Sequence, residues 1–507
     1  MSIHPVDIIV IAIYFGVMAF IGYYFSKRNK NTEEYFLGGR SFSGWAIGLS
    51  LVGTSISSVT FLAYPADAFK TSWIRFIPNL ALPVAVLMSA YLFLPYFRRN
   101  RVTSAYEFLE DRFGPSIRGY AAVCFIIGQL VRVSIILYLV SLLIFEMTGL
   151  NIYWSIVISG LLVSGYTIAG GFDAVIWTDV CQTIILFLGG VACLVIIANT
   201  LPGGLGQIFH DGIAAGKFSF NDVIDGQARP IGWGLSLTEK TGAMLFFLGL
   251  TGWLTEYSGN QCTIQRYAAA KSTTHARQAM LVCVLSSLPI WAFYMLLGTA
   301  LFVFFQVFPS TEAAEMLNGT REAEQVLPFF IMKYVPIGIK GLVISAALAA
   351  AMSSLSSSIN SISTISVVDL YKRYFNKTAD DRRCLTMAKI AGVATSTLMI
   401  AGAIVLAGSE TQTLQDAGTI LSSIVAGGLF GIYALGFFTK IGDARCVWIG
   451  ITCTVLFTLW TILAKSGVLP ESMNIPFELY YTMIIGNLVM FLVSFSAAAL
   501  TRKMTNK

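Results

Sequence analysis

Long apolar stretches separated by short polar ones run the length of the chain. Residues 8 to 25 carry no charge, and Lys27, Arg28 and Lys30 follow at once. A cleaved leader has its positive charge ahead of the apolar run. The reversed order predicts a retained helix with its N-terminus outside. Further helices are predicted near 43–66, 76–97, 119–147, 151–171, 174–199, 236–259, 278–306, 325–363, 385–409, 413–437, 444–464 and 476–501, with the first at 6–26. Each is long enough for the roughly 20 residues that a bilayer requires. The pattern is that of an all-α polytopic membrane protein with about 13 transmembrane helices, whose odd number places the termini on opposite sides.

Charge placement supports this topology. Of the 33 lysines and arginines, 23 fall on the side that holds Lys27, nine fall on the other, and Arg132 alone lies mid-span. Arg266 is counted here with the inner group. Such an excess marks the cytoplasmic face and predicts an inner-membrane protein with a cytoplasmic C-terminus. No segment outside the spans is long enough for a second domain; the longest, about 200–235, reads as an external loop.

Composition narrows the function classes. Charged residues make up 12% of the chain and apolar residues 56%, where soluble proteins carry roughly 25% charge. A soluble enzyme, a disordered scaffold and a secreted disulfide domain are excluded. The net charge of +6 follows the membrane and is no nucleic-acid footprint. Eight cysteines form no CxxC pair, and three histidines lie outside the longest apolar stretches, so neither a metal centre nor histidine catalysis is implied. No GxSxG, HExxH, Walker A or kinase signature is present. The chain is expected not to be an enzyme and to draw its energy from an ion gradient.

The chemistry lies in polar groups placed where lipid is expected. The second span holds Gly48, Gly53, Thr54, Ser55, Ser57, Ser58 and Thr60. This run suits an unwound break whose carbonyls and hydroxyls line a cavity; close packing of small residues is the alternative. The seventh span repeats the device, with Gly249, Gly252 and Gly259 around Thr251, Thr255, Glu256 and Asn260. Two halves, 43–199 and 236–437, each opening with an interrupted helix, have the pattern of inverted-repeat transporters, with 6–26 as an extra first helix and 444–501 as two last ones. Chance placement of glycine would look the same. Within 353–366 there are eight serines; Ala350, Ser353, Ser354 and Ser357 share one helical face. Hydroxyl oxygens there suit either a small cation or helix packing. Asp179, deep in an apolar run, needs a partner: a bound cation, or hydroxyls. Arg132 needs an anionic substrate or an internal acid, for which Glu256 is the candidate.

The stretches 34–40 (EYFLGGR), 103–113 (TSAYEFLEDRF), 170–182 (GGFDAVIWTDVCQ), 260–271 (NQCTIQRYAAAK) and the serine run after Ala350 resemble the sodium/solute symporter family, whose members include sodium/galactose and sodium/sialic acid symporters with the LeuT-type fold. The resemblance covers nearly the whole chain. It implies a first sodium site on backbone oxygens of Gly53, Ile56 and Ala350 with the hydroxyls of Ser353 and Ser354. It also implies a second sodium site at Ser55, Ser353, Ser356, Ser357 and Asp179. The implied substrate pocket comprises Ser55, Ser57, Thr60, Arg75, Asn79, Arg132 and Glu256, with Ser57, Thr60 and Arg132 on a carboxylate. Asn79 stands where the sialic acid symporters have glutamine, and Arg75 where they have an apolar aromatic.

The expected function is sodium-coupled symport of a small organic solute, a sialic acid or related sugar acid, by alternating access. The expected partners are that solute, one or two sodium ions and the lipid bilayer, with no nucleic acid and no obligate protein partner evident. A neutral-sugar symporter is the alternative, and a sensor or channel a more distant one: after Leu500 only seven residues remain to signal, and a channel would not concentrate solute.

Overall fold

The computed structural model describes residues 3–224, 227–408, 428–466 and 468–505. Fourteen helices carry the account below: α1 (Pro5–Ser26), α2 (Gly44–Ser55), α3 (Ser58–Lys70), α4 (Ile74–Leu92), α5 (Pro115–Thr148), α6 (Ile152–Thr200), α7 (Gly242–Gly259), α8 (Gln261–Ala269), α9 (Thr273–Val307), α10 (Ile339–Ile365), α11 (Asp381–Ala407), α12 (Leu429–Phe438), α13 (Ala444–Lys465) and α14 (Tyr481–Thr505). Among the described residues, nine helical segments are long and apolar enough to cross a membrane, and the bent pair α2–α3 makes a tenth.

Helix ends follow their local chemistry. Asn151, Ser272, Asp380 and Asp443 cap α6, α9, α11 and α13 by accepting from backbone N–H groups of the first turn. The 49 residues of α6 contain the two spans expected at 151–171 and 174–199, joined at Gly171. Its φ of +60° is a conformation that glycine adopts without the steric penalty of a side chain. The span expected at 325–363 begins later. Residues Val326–Tyr334 form a separate short helix, and α10 starts at Ile339, after Pro336 and Gly338 interrupt the chain. The seventh span likewise starts at Gly242, not 236. The expected external loop contains a helix (Gly204–Ala214) and an antiparallel hairpin pairing Asn221–Ile224 with Gln227–Pro230. The span expected at 413–437 falls mostly on 409–427, outside the described residues, and α12 is its described end.

The centre of the molecule is α10. A peripheral helix exposes one face to lipid, yet every residue of α10 from Val343 to Ile365 is buried. Small side chains make this possible: α10 packs most extensively on α6, where Gly189 lies directly against Ala346. The start of α10 is fixed by the fully buried Asp7 of α1, whose Oδ1 accepts from the N–H groups of Gly338 and Gly341 at 2.7 and 2.8 Å. A carboxylate is favoured there by the unpaired donors and the positive end of the helix dipole.

Two further glycines set the approach of the broken segments to their neighbours. A Cβ on Gly249 of α7 would stand 2.0 Å from the carbonyl oxygen of Pro78, and one on Gly298 of α9 would stand 2.2 Å from that of Pro65. Backbone cannot swing aside as a flexible side chain does. Gly298→Ala is expected to cost about 1–3 kcal/mol through overpacking, seen as a lower Tm of the detergent-solubilised protein. Gly165→Ala, where a Cβ meets nothing within 4 Å, should leave Tm unchanged.

Candidate functional site

The α2–α3 span bends by 59° at Ile56 and Ser57, both extended in backbone conformation. The break leaves the carbonyls of the last turn of α2, Gly53 among them, without a helical continuation. Gly53 lies against α6 and α10: a Cβ there would be 2.7 Å from Thr183 Oγ1, 3.0 Å from Ser353 Oγ and 3.3 Å from the Asp179 carbonyl. The second break, at Asn260, separates α7 from α8, and the Asn260 side chain caps α8 by accepting from Cys262 N–H at 2.8 Å. It lies one residue beyond Gly259, among the residues whose composition marked it.

Asp179 of α6 is fully buried, and its partner is Arg266 of α8, also fully buried, with Nη2 2.7 Å from Asp179 Oδ2. The sequence pattern placed Arg266 with the inner-loop cations. It lies inside the protein instead, because α8 continues past the break and carries it one turn inward. Asp179 Oδ2 also accepts from Ser50 at 2.5 Å, and Oδ1 accepts from Ser353 at 2.7 Å. Arg266 donates to Ser50 Oγ at 2.8 Å, Ser357 Oγ at 2.7 Å and the Cys262 carbonyl at 2.6 Å. Of the two partner types expected for Asp179, hydroxyls are present, and the cation beside it is a guanidinium.

Other polar groups of α10 divide sharply. Ser356 donates to the Ser353 carbonyl at 3.1 Å, and Ser358 to Gln129 at 2.9 Å. One turn inward, Gln265 of α8 donates to Asn360 Oδ1 at 2.8 Å, Thr364 Oγ1 at 3.1 Å and the Phe36 carbonyl at 2.6 Å, and accepts from Ser361 at 3.0 Å. Ser354 Oγ, by contrast, is buried and has no hydrogen-bond partner among the described residues.

The residues of the expected substrate pocket fall into distinct surroundings. Arg75 pairs with Asp67 and lies over the Tyr64 ring, and Asn79 donates to the Tyr64 hydroxyl at 2.6 Å. Thr60 is buried, while Ser55 and Ser57 at the break are partly exposed. Glu256 accepts from Asn260 at 2.7 Å and from Thr263 at 2.6 Å, so it is not the internal partner of Arg132. The half-buried Arg132 of α5 makes no ion pair among the described residues. Arg266, Ser50 and Gln265 escaped the sequence reading. The signal for Arg266 was the run Tyr267–Ala270 after it, too apolar for a loop.

Residues 35–459 match the model of the sodium:solute symporter family. The chain belongs to that family. Among family relatives, it is 34% identical over 463 residues, 90% of each chain, to the sodium/sialic acid symporter SiaT of Proteus mirabilis. It is 27% identical over 514 residues, 100% of this chain and 95% of the other, to the sodium/sialic acid symporter NanT of Aliivibrio fischeri. A solved substrate-bound outward-open state of a Na+-coupled sialic acid symporter superposes with a TM-score of 0.88, at 30% identity over 98% of both chains. The architecture is the LeuT-type fold, and this symporter is a multi-pass membrane transporter rather than an enzyme.

Removing one partner of a buried ion pair leaves the other charge uncompensated and costs about 3–5 kcal/mol. Asp179→Leu and Arg266→Met, each alone, are expected to lower Tm strongly. The double variant should lose much less than the two single losses combined. Thermal unfolding of the four proteins in detergent reads this directly.

Proposed function

We propose that this symporter imports a sialic acid or a related sugar acid, driven by sodium, by alternating access across the inner membrane. The observation that carries the substrate class is Arg132: a guanidinium in a membrane-spanning helix, without a carboxylate partner among the described residues, requires an anion to justify its place. The two sialic acid symporters among the relatives support the same class. A neutral sugar would leave Arg132 without a carboxylate among the described residues, since Glu256 is engaged by Asn260 and Thr263. Ser57 and Thr60, at the helix break, would accompany Arg132 on the carboxylate. Ser55, Asn79, Glu256 and Arg75 would line the rest of the pocket, Arg75 after release from Asp67.

The first sodium ion would take the carbonyls of Gly53, Ile56 and Ala350 and the hydroxyls of Ser353 and Ser354. The partnerless Ser354 Oγ supports this set, because an unsatisfied buried hydroxyl costs about 1–3 kcal/mol that a hard cation would offset. Its ligands come from α2 and α10, so occupancy would tie the broken helix to the central one. Sodium then drives transport by binding the outward-facing state more tightly than the inward one. A second sodium at Ser55, Ser353, Ser356, Ser357 and Asp179 would have to share Asp179 with Arg266. The proposed organisation is a single domain with repeats at 43–199 and 236–437, an extra helix at 6–26 and two at 444–501, with the N-terminus outside and the C-terminus cytoplasmic.

Proteoliposomes should concentrate labelled N-acetylneuraminate when sodium is outside and fail to do so when choline replaces it. Arg132→Ala should weaken N-acetylneuraminate transport by roughly thirtyfold in kcat/KM, the scale of about 2 kcal/mol for a lost desolvated charge contact. Sodium-driven uptake of glucose or galactose alone would replace the sugar acid with a neutral sugar.

A further inference from the structure

The inner end of the molecule holds a cavity of about 510 Å³. Four of its lining residues are cations, Arg40, Arg101, Arg118 and Lys372, against two carboxylates, Glu33 and Glu107. Both carboxylates are committed: Glu33 pairs with Arg40, and Glu107 accepts from the N–H groups of Thr103 and Ser104. Arg118 is held by Asp369 and Glu110. Although burial pushes the other way, hydrogen bonds from Arg118 and Arg373 keep the Glu110 carboxyl below its ordinary value and so ionised. Arg101 and Lys372 are exposed and make no ion pair among the described residues. Arg101 is further set in a left-handed conformation, φ +50°, with its carbonyl held by Arg40 Nη2 at 2.8 Å.

The elements that line this cavity also hold Gln265 of α8. Phe36 lines it, and the Phe36 carbonyl accepts from Gln265. Val367 and Val368 line it too, one helical turn beyond Thr364, another Gln265 partner. Arg266, adjacent to Gln265, pairs with Asp179. From the centre inward, α10 thus presents Ser353 and Ser357 to the ion pair, Ser361 and Thr364 to Gln265, and then opens onto the cationic cavity.

We propose that this cavity is an inner carboxylate-binding station, in which Arg101 and Lys372 hold the sugar acid after the Gln265 layer parts and before release. The inference rests on the sugar-acid substrate proposed above. A free pair of cations on the exit side gives the substrate's carboxylate a new partner once it has left Arg132. It also makes the cytoplasmic face able to rebind an acid at high internal concentration.

The test uses inside-out membrane vesicles, which present the cytoplasmic face, beside right-side-out vesicles. The probe is labelled N-acetylneuraminate. For Arg101→Gln combined with Lys372→Gln, the half-saturating concentration at the inner face should rise about tenfold, while that at the outer face stays within twofold. Arg101→Lys with Lys372→Arg should restore the wild-type value. As a control for bulk surface charge, Arg99→Gln with Lys377→Gln removes two exposed inner cations that do not line the cavity. An inner half-saturation unchanged in the cavity variant, in a wild type that transports, overturns the station and leaves the sugar-acid reading standing. The same rise in the control pair also overturns it, since the effect is then not local. If wild type moves no N-acetylneuraminate in either direction, the substrate reading falls and the station falls with it.

Discussion

A carboxylate in the interior of a membrane protein must be neutralised inside the protein, and Asp179 is neutralised by Arg266. Their hydrogen bonds reach four helical segments: α6 through Asp179 itself, α8 through Arg266, α2 through Ser50, and α10 through Ser353 and Ser357. The pair therefore joins one half of each interrupted span, α2 and α8, to the two long helices at the centre. Any displacement of α8 from α10 stretches Arg266–Ser357 and exposes two charges to a medium of low polarity. That cost must be offset by whatever accompanies the motion, and it makes intermediate positions unfavourable compared with two discrete ones.

The burial of a serine-rich helix at the very centre has the same origin. Serine and alanine allow close approach of α6, and most hydroxyls of α10 find acceptors nearby, as Ser345 does at the Gly341 carbonyl and Ser363 at that of Ala388. A helix made of leucine would pack equally well against lipid but would present no oxygen to Asp179, Arg266 or Gln265. Polar satisfaction, not apolar burial, selects its composition. Ser354 is the informative exception, because its buried hydroxyl has no hydrogen-bond partner among the described residues.

Much of this was legible in the chain. Apolar length located the spans, glycine and small polar residues located both interruptions, and hydroxyl spacing placed Ser353 and Ser357 on a common face. What failed was pairing across distance. Arg266 is 87 residues from Asp179, and a cation near the end of an apolar run looks like a loop residue until the helix is seen to continue. Likewise, nothing local to Arg75 announces that Asp67, eight residues earlier, will fold back onto it. The join at Gly171 and the late start of α10 turn on where neighbouring backbone allows the chain to bend, which hydropathy does not report.

Two arginines stand inside apolar segments, and their difference separates structure from function. Arg266 spends its donors on Asp179, Ser50, Ser357 and the Cys262 carbonyl, and solvent does not reach it. Four of its five donors are already used. Arg132 is only half-buried and makes no ion pair among the described residues. A guanidinium in a segment that crosses a membrane is unfavourable without an acceptor and favourable once an anion is bound. On the function proposed above, the arginine without an ion pair among the described residues is the one that meets the charged solute.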